Sequence, residues 1–500
     1  MKKIEQGLKS IGAVWDGTLP EAANVVDDTR EIEESDFYVL RQGAAPLTKE
    51  QISRFVSQAE DAHAGAVIAD PNLEITTSLP IIRLSEPHRR LGEIARIFYG
   101  EPSHEMKVIA VTGTNGKTTT TYLIESLAQA MGLKVGVLGT ISHRYPGYEE
   151  PSANTTPGTL KLYRLMRNMA SSGCELVAME VSSHGIMQGR IDGVAFDAAI
   201  WNNLGTDHLD FHITRENYAR AKQRLFDHYL AESYKSGKRP TAIGNADDDE
   251  VMAHIAAANP QNWGGNVMSF SILGNKASLE MQNIHWENGS WQMDVCYAGH
   301  VTHTALPLVG QYNAANAAGA VSALLALGYH DVANALSKIR QIPGRMECVC
   351  QSPAVIVDFA HTPEALENAL NAARECVPEG GKLFAVFGAG GDRDPSKRPM
   401  MGKTAADHAD RIFITSDNPR TEAPENIIAQ IVSGIPHNRQ FTANPDRAEA
   451  IKQAISEASD RDVILIAGKG HEDYQILGTK KIHFDDREMA RNVLRSLGIH

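Results

Sequence analysis

Five hundred residues, 42% of them hydrophobic and 22% charged, make a globular chain too long for one core, and about three domains is the expectation. A formal net charge of −13 speaks against a general nucleic-acid or anionic-membrane surface, while leaving room for a local basic pocket. Five cysteines (Cys174, Cys296, Cys348, Cys350 and Cys376) are scattered without a CxxC pair, which fits a reducing compartment and no structural zinc; Cys348 and Cys350 alternate as in a strand. No apolar run reaches the ~18 residues of a membrane span, and no apolar stretch follows the lysine-bearing N-terminus, so a cytoplasmic protein is expected.

In chain order, residues 1–104 carry short apolar runs at 37–40, 66–69 and 81–84 between helical stretches, which predicts a small α/β module. Asp28-Thr29-Arg30 lies in a turn, where it either meets a nucleotide or sugar or forms an Asx-type turn of its own. Leu91, Ile94, Ala95, Ile97 and Phe98 are spaced as one buried helical face, and Gly100-Glu101-Pro102 ends that helix and the first domain.

Residues 105–341 open on Val108-Ile109-Ala110-Val111, a β-branched run that leads into Thr112-Gly113-Thr114-Asn115-Gly116-Lys117-Thr118-Thr119 and then into the periodic segment Tyr122, Leu123, Ile124, Leu127, Ala128. Strand, glycine-bounded loop and helix in that order are the setting of a P-loop. Backbone N–H groups and the helix N-terminus cradle a polyphosphate, Lys117 bridges the outer phosphates, and the Thr118 hydroxyl faces a magnesium ion. Further polar motifs follow predicted strands: Asn154-Thr155-Thr156-Pro157 beyond 135–139, Glu180 with Ser182, Ser183 and His184 after 176–179, and the run from Asn202 to His212 after 198–201. In open parallel sheets such strand ends share one rim, and an acid there commonly holds magnesium; a buried structural glutamate is the alternative for Glu180. On spacing alone Lys222, beside the apolar stripe Tyr218, Ala221, Leu225 and Phe226, reads as a snorkelling lysine. Asn313, near the start of an alanine-rich helix, either contacts a nucleotide or caps the helix.

Residues 342–500 repeat the strand–helix alternation. Four motifs stand at strand ends here: Asp358-Phe359-Ala360-His361, Gly388 through Asp394, Ser416-Asp417-Asn418-Pro419-Arg420, and Gly468-Lys469-Gly470-His471-Glu472. Four such loops on one edge point to a binding rim.

The P-loop, the Asn154-Thr155-Thr156-Pro157 loop, Glu180-Val181-Ser182-Ser183-His184, Asp207-His208-Leu209-Asp210-Phe211-His212, Asp417-Asn418-Pro419-Arg420 and Gly468-Lys469-Gly470-His471-Glu472 together resemble the Mur ligases of peptidoglycan synthesis, from about residue 20 onward. The resemblance implies an α/β chain of three domains: 1–104 binding the UDP-substrate, 105–341 a P-loop ATPase domain with a parallel sheet, and 342–500 a Rossmann-like domain binding an amino acid. It implies that ATP activates a D-glutamyl γ-carboxylate of a UDP-muramoyl dipeptide as an acyl phosphate, which an amine of meso-diaminopimelate captures. Small molecules would be its partners, with no nucleic acid or membrane, and the chain would act as a monomer.

By the same resemblance, Lys117, Lys222 and Arg345 are catalytic. Gly113, Thr114, Asn115, Gly116, Lys117, Thr118, Thr119, Asn313, Arg345, Asp358 and His361 match nucleotide-contacting positions. Thr118 and Glu180 would lie near one Mg2+ and His208 near a second, which Lys222, carbamylated by CO2, helps hold; this replaces the snorkelling role. Thr29, Asn154, Thr155, Thr156, Ser182, Gln188 and Arg190 match positions for the UDP-substrate, and Arg393, Asp417, Asn418, Pro419, Arg420, Gly468 and Glu472 those for diaminopimelate. Diaminopimelate differs from lysine by a distal carboxylate, which a guanidinium at Arg420 grips through two parallel hydrogen bonds. The first domain departs from the family pattern, with Glu34-Ser35-Asp36 before its strand where Gly-Asp is usual and Arg41-Gln42-Gly43-Ala44-Ala45-Pro46 after it. A D-glutamate-adding or folyl-polyglutamate ligase would share the P-loop but has no reason for the Asp-Asn-Pro-Arg and Gly-Lys-Gly-His-Glu pair.

Overall fold

Continuous apolar runs become strands buried on both faces. A computed structural model of the protein describes residues 1–42, 46–287 and 289–499. Gly43, Ala44 and Ala45 of the divergent loop lie outside the described residues. The chain forms two compact units: Met1–Ser271 with Asn275–Leu279 and Gly319–Val332, and Ile272–Gly274 with Glu280–Ala318 and Ala333–His500.

The first unit holds two sheets. Strands β1 (Val25–Val26), β2 (Phe37–Val39), β3 (Ala66–Ala69) and β4 (Ile81–Arg83) lie parallel in that order. Alternation along β2 and β3 gives this sheet two apolar faces. Tyr38, Val67 and Ala69 pack with Ile52, Val56 and Ala59 of helix Lys49–Asp61, whose start is fixed by a Thr48–Gln51 capping box. Phe37, Val39, Ala66 and Ile68 join helix Leu91–Tyr99 in a core that continues to Val108, Ala110 and Leu162, so residues 1–104 share a core with the P-loop segment.

The other strands are β5 (Lys107–Thr112), β6 (Val135–Leu138), β7 (Ser142–Tyr145), β8 (Tyr148–Pro151), β9 (Leu176–Glu180), β10 (Ala198–Trp201), β11 (Thr241–Asn245) and β12 (Asn266–Ser271). Their order is β12-β11-β10-β5-β9-β6-β7-β8, parallel from β12 to β6, with β7 antiparallel to both β6 and β8. After β5 the chain runs to β6 and β9 on one side and then to β10 on the other. The P-loop therefore leaves the sheet where the strand order reverses, the place where open α/β sheets bind ligands.

In the second unit, β13 (Leu279–Glu287), β14 (Ser290–Tyr297) and β15 (His300–Leu306) are neighbours, and β14 and β15 pair antiparallel. A six-stranded sheet combines β16 (Glu347–Gln351), β17 (Ala354–Asp358), β18 (Leu383–Phe387), β19 (Arg411–Ile414), β20 (Thr442–Ala443) and β21 (Val463–Ala467) in the order β16-β17-β21-β18-β19-β20, with β16 antiparallel and the rest parallel. Cys348 and Cys350 lie on β16 as the alternation predicts. Ile356, Ala385, Phe387 and Leu465 cover one face with helices Pro363–Arg374, Lys397–His408 and Pro424–Val432; Val355, Val386, Phe413 and Ile466 cover the other with Arg447–Glu457 and Asp486–Ser496. Helices on both faces of a parallel sheet make this unit doubly wound. A hairpin of β22 (Tyr474–Leu477) and β23 (Lys480–His483) follows the β21 loop. Among the described residues no helix is long and apolar enough to cross a membrane.

Candidate active site

The P-loop is braced from β10. Thr114 N–H donates to the Asn203 carbonyl at 3.1 Å and Asn115 N–H to Asn203 Oδ1 at 2.8 Å. Helix Lys117–Ala130 begins directly after this brace, which aims the positive end of its dipole along the loop. Lys117 Nζ folds onto the loop carbonyls of Gly113 at 2.8 Å and Thr114 at 2.9 Å.

Beside the loop, Glu180 ends β9 and is 1% exposed. Its Oε2 accepts from Thr118 Oγ1 at 3.1 Å and Thr140 Oγ1 at 2.9 Å, and its Oε1 accepts from Thr140 N–H at 2.8 Å. A Cβ on Gly139 would lie 2.4 Å from Glu180 Oε1, so only glycine lets this carboxylate reach its place. Thr140 Oγ1 also lies 3.1 Å from the Thr155 hydroxyl, whose proton it can accept. Thr156 Oγ1 lies 3.2 Å from Ser182 Oγ, and Arg190 Nη1 donates to the Thr156 carbonyl at 2.6 Å while its Nε donates to Gln188 Oε1 at 2.9 Å. Residues from four separate stretches thus meet beside the P-loop. Asn154 contributes its carbonyl to Ser152 Oγ. Burial lowers the Arg190 pKa, with Arg41 adding to the fall and Asp27 opposing it, so the divergent first-domain segment sits within its field.

Lys222 is not a snorkelling lysine: it is 1% exposed. A snorkelling side chain keeps its ammonium in water, whereas this Nζ reaches inward to the Gly113 carbonyl at 2.9 Å and Thr112 Oγ1 at 3.5 Å, 4.6 Å from the Tyr218 ring centroid. Burial, reinforced by the Lys117 charge and opposed by Asp207, holds its pKa well below that of a free lysine. Tyr218 donates to Thr114 Oγ1 at 3.1 Å, and the His208 ring lies 6.3 Å from the Tyr218 ring, so His208 and Lys222 flank one tyrosine. His184 stacks edge-on against His208 at 4.7 Å.

Thr29 lies in the short turn Thr29–Glu31, where Asp28 caps Arg30 N–H and pairs with the Arg30 guanidinium at 2.6 Å, the Asx-type arrangement. In the departing segment, Asp36 is fully buried and accepts from Glu33 N–H at 3.0 Å, and Ser35 takes φ 70°, a left-handed backbone where the family usually has glycine.

In the second unit, the Asp358 carboxylate accepts from Met346 N–H and Ala360 N–H, both at 2.8 Å. Burial raises its pKa and Arg345 opposes the rise. The Arg345 guanidinium stands 4.9 Å over the Phe359 ring, and His361 and His471 lie 4.8 Å and 5.1 Å from the same ring. Arg345, Asp358 and His361 therefore form one group around Phe359. Asn313 is buried at its helix start, where its Nδ2 donates to the Val309 carbonyl at 2.7 Å.

The remaining residues form a second group at the β19 and β21 ends. Asn418 Nδ2 donates to Glu472 Oε2 at 2.9 Å. Arg420 takes φ 53°, donates its N–H to the Ile476 carbonyl at 3.0 Å, and rests Nη1 on the Gly391 carbonyl at 2.7 Å. Pro419, between Asn418 and Arg420, sits against the Gly391 backbone, and Gly468 lies beside the Asp417 carboxylate. Arg393 folds onto the Asp392 carbonyl at 3.2 Å, and Asp392 in turn accepts from Thr421 Oγ1 at 2.8 Å. Beneath them Arg447 and Asp486, both fully buried, pair at 2.7 and 2.6 Å, while Arg447 also donates to the Ser416 and Ala467 carbonyls and so ties the two strand ends together.

Sequence reasoning missed Gly139, Thr140, Lys469, the Arg447–Asp486 pair and Gln475, whose Nε2 donates to the Asp417 carbonyl at 2.7 Å. Lys469 stood inside a recognised motif, but its partners are set by the fold. The pair is separated by 39 positions and carries no local signal.

A braced P-loop with an acid and a hydroxyl at its mouth, in a chain whose second unit is doubly wound, defines a P-loop nucleotide-binding enzyme of the α/β class. The description "Mur ligase middle domain" matches residues 111–324, and "Mur ligase, glutamate ligase domain" matches residues 344–470. A UDP-N-acetylmuramoyl-L-alanyl-D-glutamate–2,6-diaminopimelate ligase of Trichormus variabilis is 47% identical over 421 residues, covering 83% of this chain and 82% of that protein. A solved structure bearing the same ligase name is 30% identical, with a TM-score of 0.67 and 96% of each chain covered. A MurF ligase from Thermotoga maritima, solved in complex with ADP, shares the fold at TM-score 0.65 and 18% identity, covering 95% of this chain and 97% of its own. The chain belongs to the Mur ligase family.

Proposed function

We infer that this chain is an ATP-dependent ligase that joins meso-diaminopimelate to the D-glutamyl γ-carboxylate of UDP-N-acetylmuramoyl-L-alanyl-D-glutamate, releasing ADP and phosphate, in the cytoplasmic assembly of peptidoglycan precursors. One arrangement carries this conclusion: the Asp417-Asn418-Pro419-Arg420 turn, which bears a carboxylate and a guanidinium, is locked to the Glu472 carboxylate by the 2.9 Å Asn418 bond. That combination suits an amino acid bearing an ammonium and a further carboxylate, and the curated relatives are named for that substrate.

The γ-carboxylate oxygen attacks the γ-phosphorus of ATP, and the bond to the ADP oxygen breaks. The diaminopimelate amine then attacks the acyl carbon, phosphate leaves with the C–O bond electrons, and the amine nitrogen gives up a proton. Joining a carboxylate to a polyanionic phosphate calls for charge neutralisation and alignment more than for acid–base help. Lys117 and the helix N-terminus supply these at the phosphates, and Arg345 is assigned the same task. Gly113, Thr114, Asn115, Gly116, Thr118 and Thr119 cradle the nucleotide, with Asn313, Asp358 and His361 as further contacts.

The donor set fits two magnesium ions. A hydroxyl and one acid side chain converge at Thr118 and Glu180, the sparse protein ligation magnesium takes when phosphates and water complete its shell. Lys222 fits a carbamate, because burial depresses its amine well below a free lysine and CO2 adds to the unprotonated form, and the product would offer oxygen ligands to magnesium together with His208. Magnesium held there would neutralise developing phosphate charge. Thr29, Asn154, Thr155, Thr156, Ser182, Gln188 and Arg190 are assigned to the UDP-substrate, and Arg393, Asp417, Asn418, Pro419, Arg420, Gly468 and Glu472 to diaminopimelate. Residues 1–104, 105–341 and 342–500 correspond to uridine, ATP and amino-acid domains of a monomer.

Phosphate release from ATP tests the proposal. It is expected to require both the UDP-muramoyl dipeptide and meso-diaminopimelate; release without an amino acid, or equal release with lysine or D-glutamate, overturns it.

A further inference from the structure

Lys469 is fully buried beside the Arg420 turn. Its Nζ lies 3.3 Å from Glu472 Oε2, 3.4 Å from Asn418 Oδ1 and 3.7 Å from Asp417 Oδ1, with the Tyr474 ring centroid 5.4 Å away. A buried ammonium is tolerated only where polar partners replace water, and here the partners come from two loops, one after β19 and one after β21.

The bonds close into a ring. Asn418 accepts from Lys469 and from Ile476 N–H at 3.0 Å on its Oδ1, and donates its Nδ2 to the Glu472 oxygen that Lys469 also holds. Glu472 Oε2 is thereby fixed twice, while Oε1 meets only the Tyr474 hydroxyl, at 3.4 Å, among the described residues. Asp417 is 6% exposed, and its buried Oδ1 has no hydrogen-bond partner among the described residues. One ammonium is shared by two carboxylates, and Asp417 Oδ1, left without a hydrogen bond among those residues, is an acceptor suited to an incoming ammonium.

We propose that Lys469 is a positioning residue: its enclosed ammonium clamps Asp417, Asn418 and Glu472 into one rigid receptor for the ammonium group of the amino-acid substrate. The inference rests on the ligase reading above. Without Lys469, two neighbouring carboxylates, buried Asp417 and half-buried Glu472, repel each other, Glu472 turns or takes up a proton, and the receptor loses its shape before any substrate arrives.

The test uses the full chain carrying Lys469→Gln or Lys469→Met, with KM measured separately for ATP, the UDP-muramoyl dipeptide and meso-diaminopimelate, alongside kcat and the thermal midpoint. Lys469→Met is expected to raise KM for diaminopimelate roughly 10- to 100-fold, as losing a charged hydrogen-bond donor does. Lys469→Gln, whose amide still donates to Glu472 without a charge, falls between, and the other two KM values stay within about twofold. Should Lys469→Met fail to fold, Lys469→Gln decides. An unchanged diaminopimelate KM in Lys469→Gln, or a parallel rise in all three, overturns the proposal. Failure of the unmutated chain to consume diaminopimelate overturns the ligase reading instead.

Discussion

Arg420→Ala removes the guanidinium assigned to the distal carboxylate of diaminopimelate. Of its five N–H donors, those on Nη1 are drawn to Gly391 at 2.7 Å and, more weakly, Asn418 at 3.5 Å, which keeps the Nε and Nη2 edge for a two-pronged grip. Two charge-assisted bonds, discounted for water at this half-buried position, are worth about 2–4 kcal/mol, which corresponds to roughly a 30- to 1,000-fold rise in KM for diaminopimelate. The left-handed φ of 53° burdens alanine as it burdens arginine, so the comparison isolates the side chain. Initial rates of ADP formation at saturating ATP and UDP-muramoyl dipeptide measure the effect, with lysine as a second amine. Lysine lacks the distal carboxylate, so its poor use should change little, and Arg420→Lys should recover only part of the loss. If Arg420→Ala shifts the KM for diaminopimelate by less than about threefold, or weakens lysine as much, Arg420 does not select the substrate.

Lys222→Ala is expected to lower ligase activity by at least about 100-fold at limiting magnesium, and bicarbonate depletion to lower the unmutated activity; full activity in both cases removes the carbamate role. His143, 1% exposed and held by burial at a pKa of about 4, binds its proton less readily folded than unfolded. Its contribution is therefore complete above the unfolded histidine value and is lost as pH falls from about 6.5 toward 4, so His143→Gln should flatten the decline in urea midpoint between pH 7 and pH 5; parallel declines would contradict this. Asp486→Asn strands the fully buried Arg447 and should cost about 3–5 kcal/mol in urea unfolding, largely recovered in Arg447→Met/Asp486→Leu; a loss under about 1 kcal/mol argues against the pair's weight.

The parts of the site that were legible in the sequence are those where chemistry and local structure coincide. The run from Val108 to Thr119 reads as strand, loop and helix because a buried strand, a glycine turn and a helix start each leave a local signature, and β5 and its helix form there. Ala66–Ala69, Ala198–Trp201, Leu383–Phe387 and Val463–Ala467 form strands over the predicted spans for the same reason. Lys222 was misread on spacing because a lysine beside an apolar stripe either lifts its head to water or turns inward, and only the P-loop carbonyls across the sheet decide between these. The β7–β8 hairpin was not foreseen, since Ser142-His143-Arg144-Tyr145 and Tyr148-Glu149-Glu150-Pro151 carry no run of apolar alternation. The core shared between residues 1–104 and the P-loop segment depends on the second face of β2 and β3, which a helix boundary at Gly100 does not reveal.

Gly344 takes φ 60°, and a Cβ on it would fall 2.0 Å from His471 N and 2.1 Å from Gly470 C. The turn bearing Arg345 and the turn bearing Glu472 therefore meet main chain to main chain at Gly344 and Gly470, where no side chain intervenes. Such a contact has no side chain to exchange, so surrounding positions can diversify while the spacing between the two turns persists. For ligand design within this unit, that backbone spacing acts as a ruler between the two turns, and side-chain mutations around it leave the ruler unchanged.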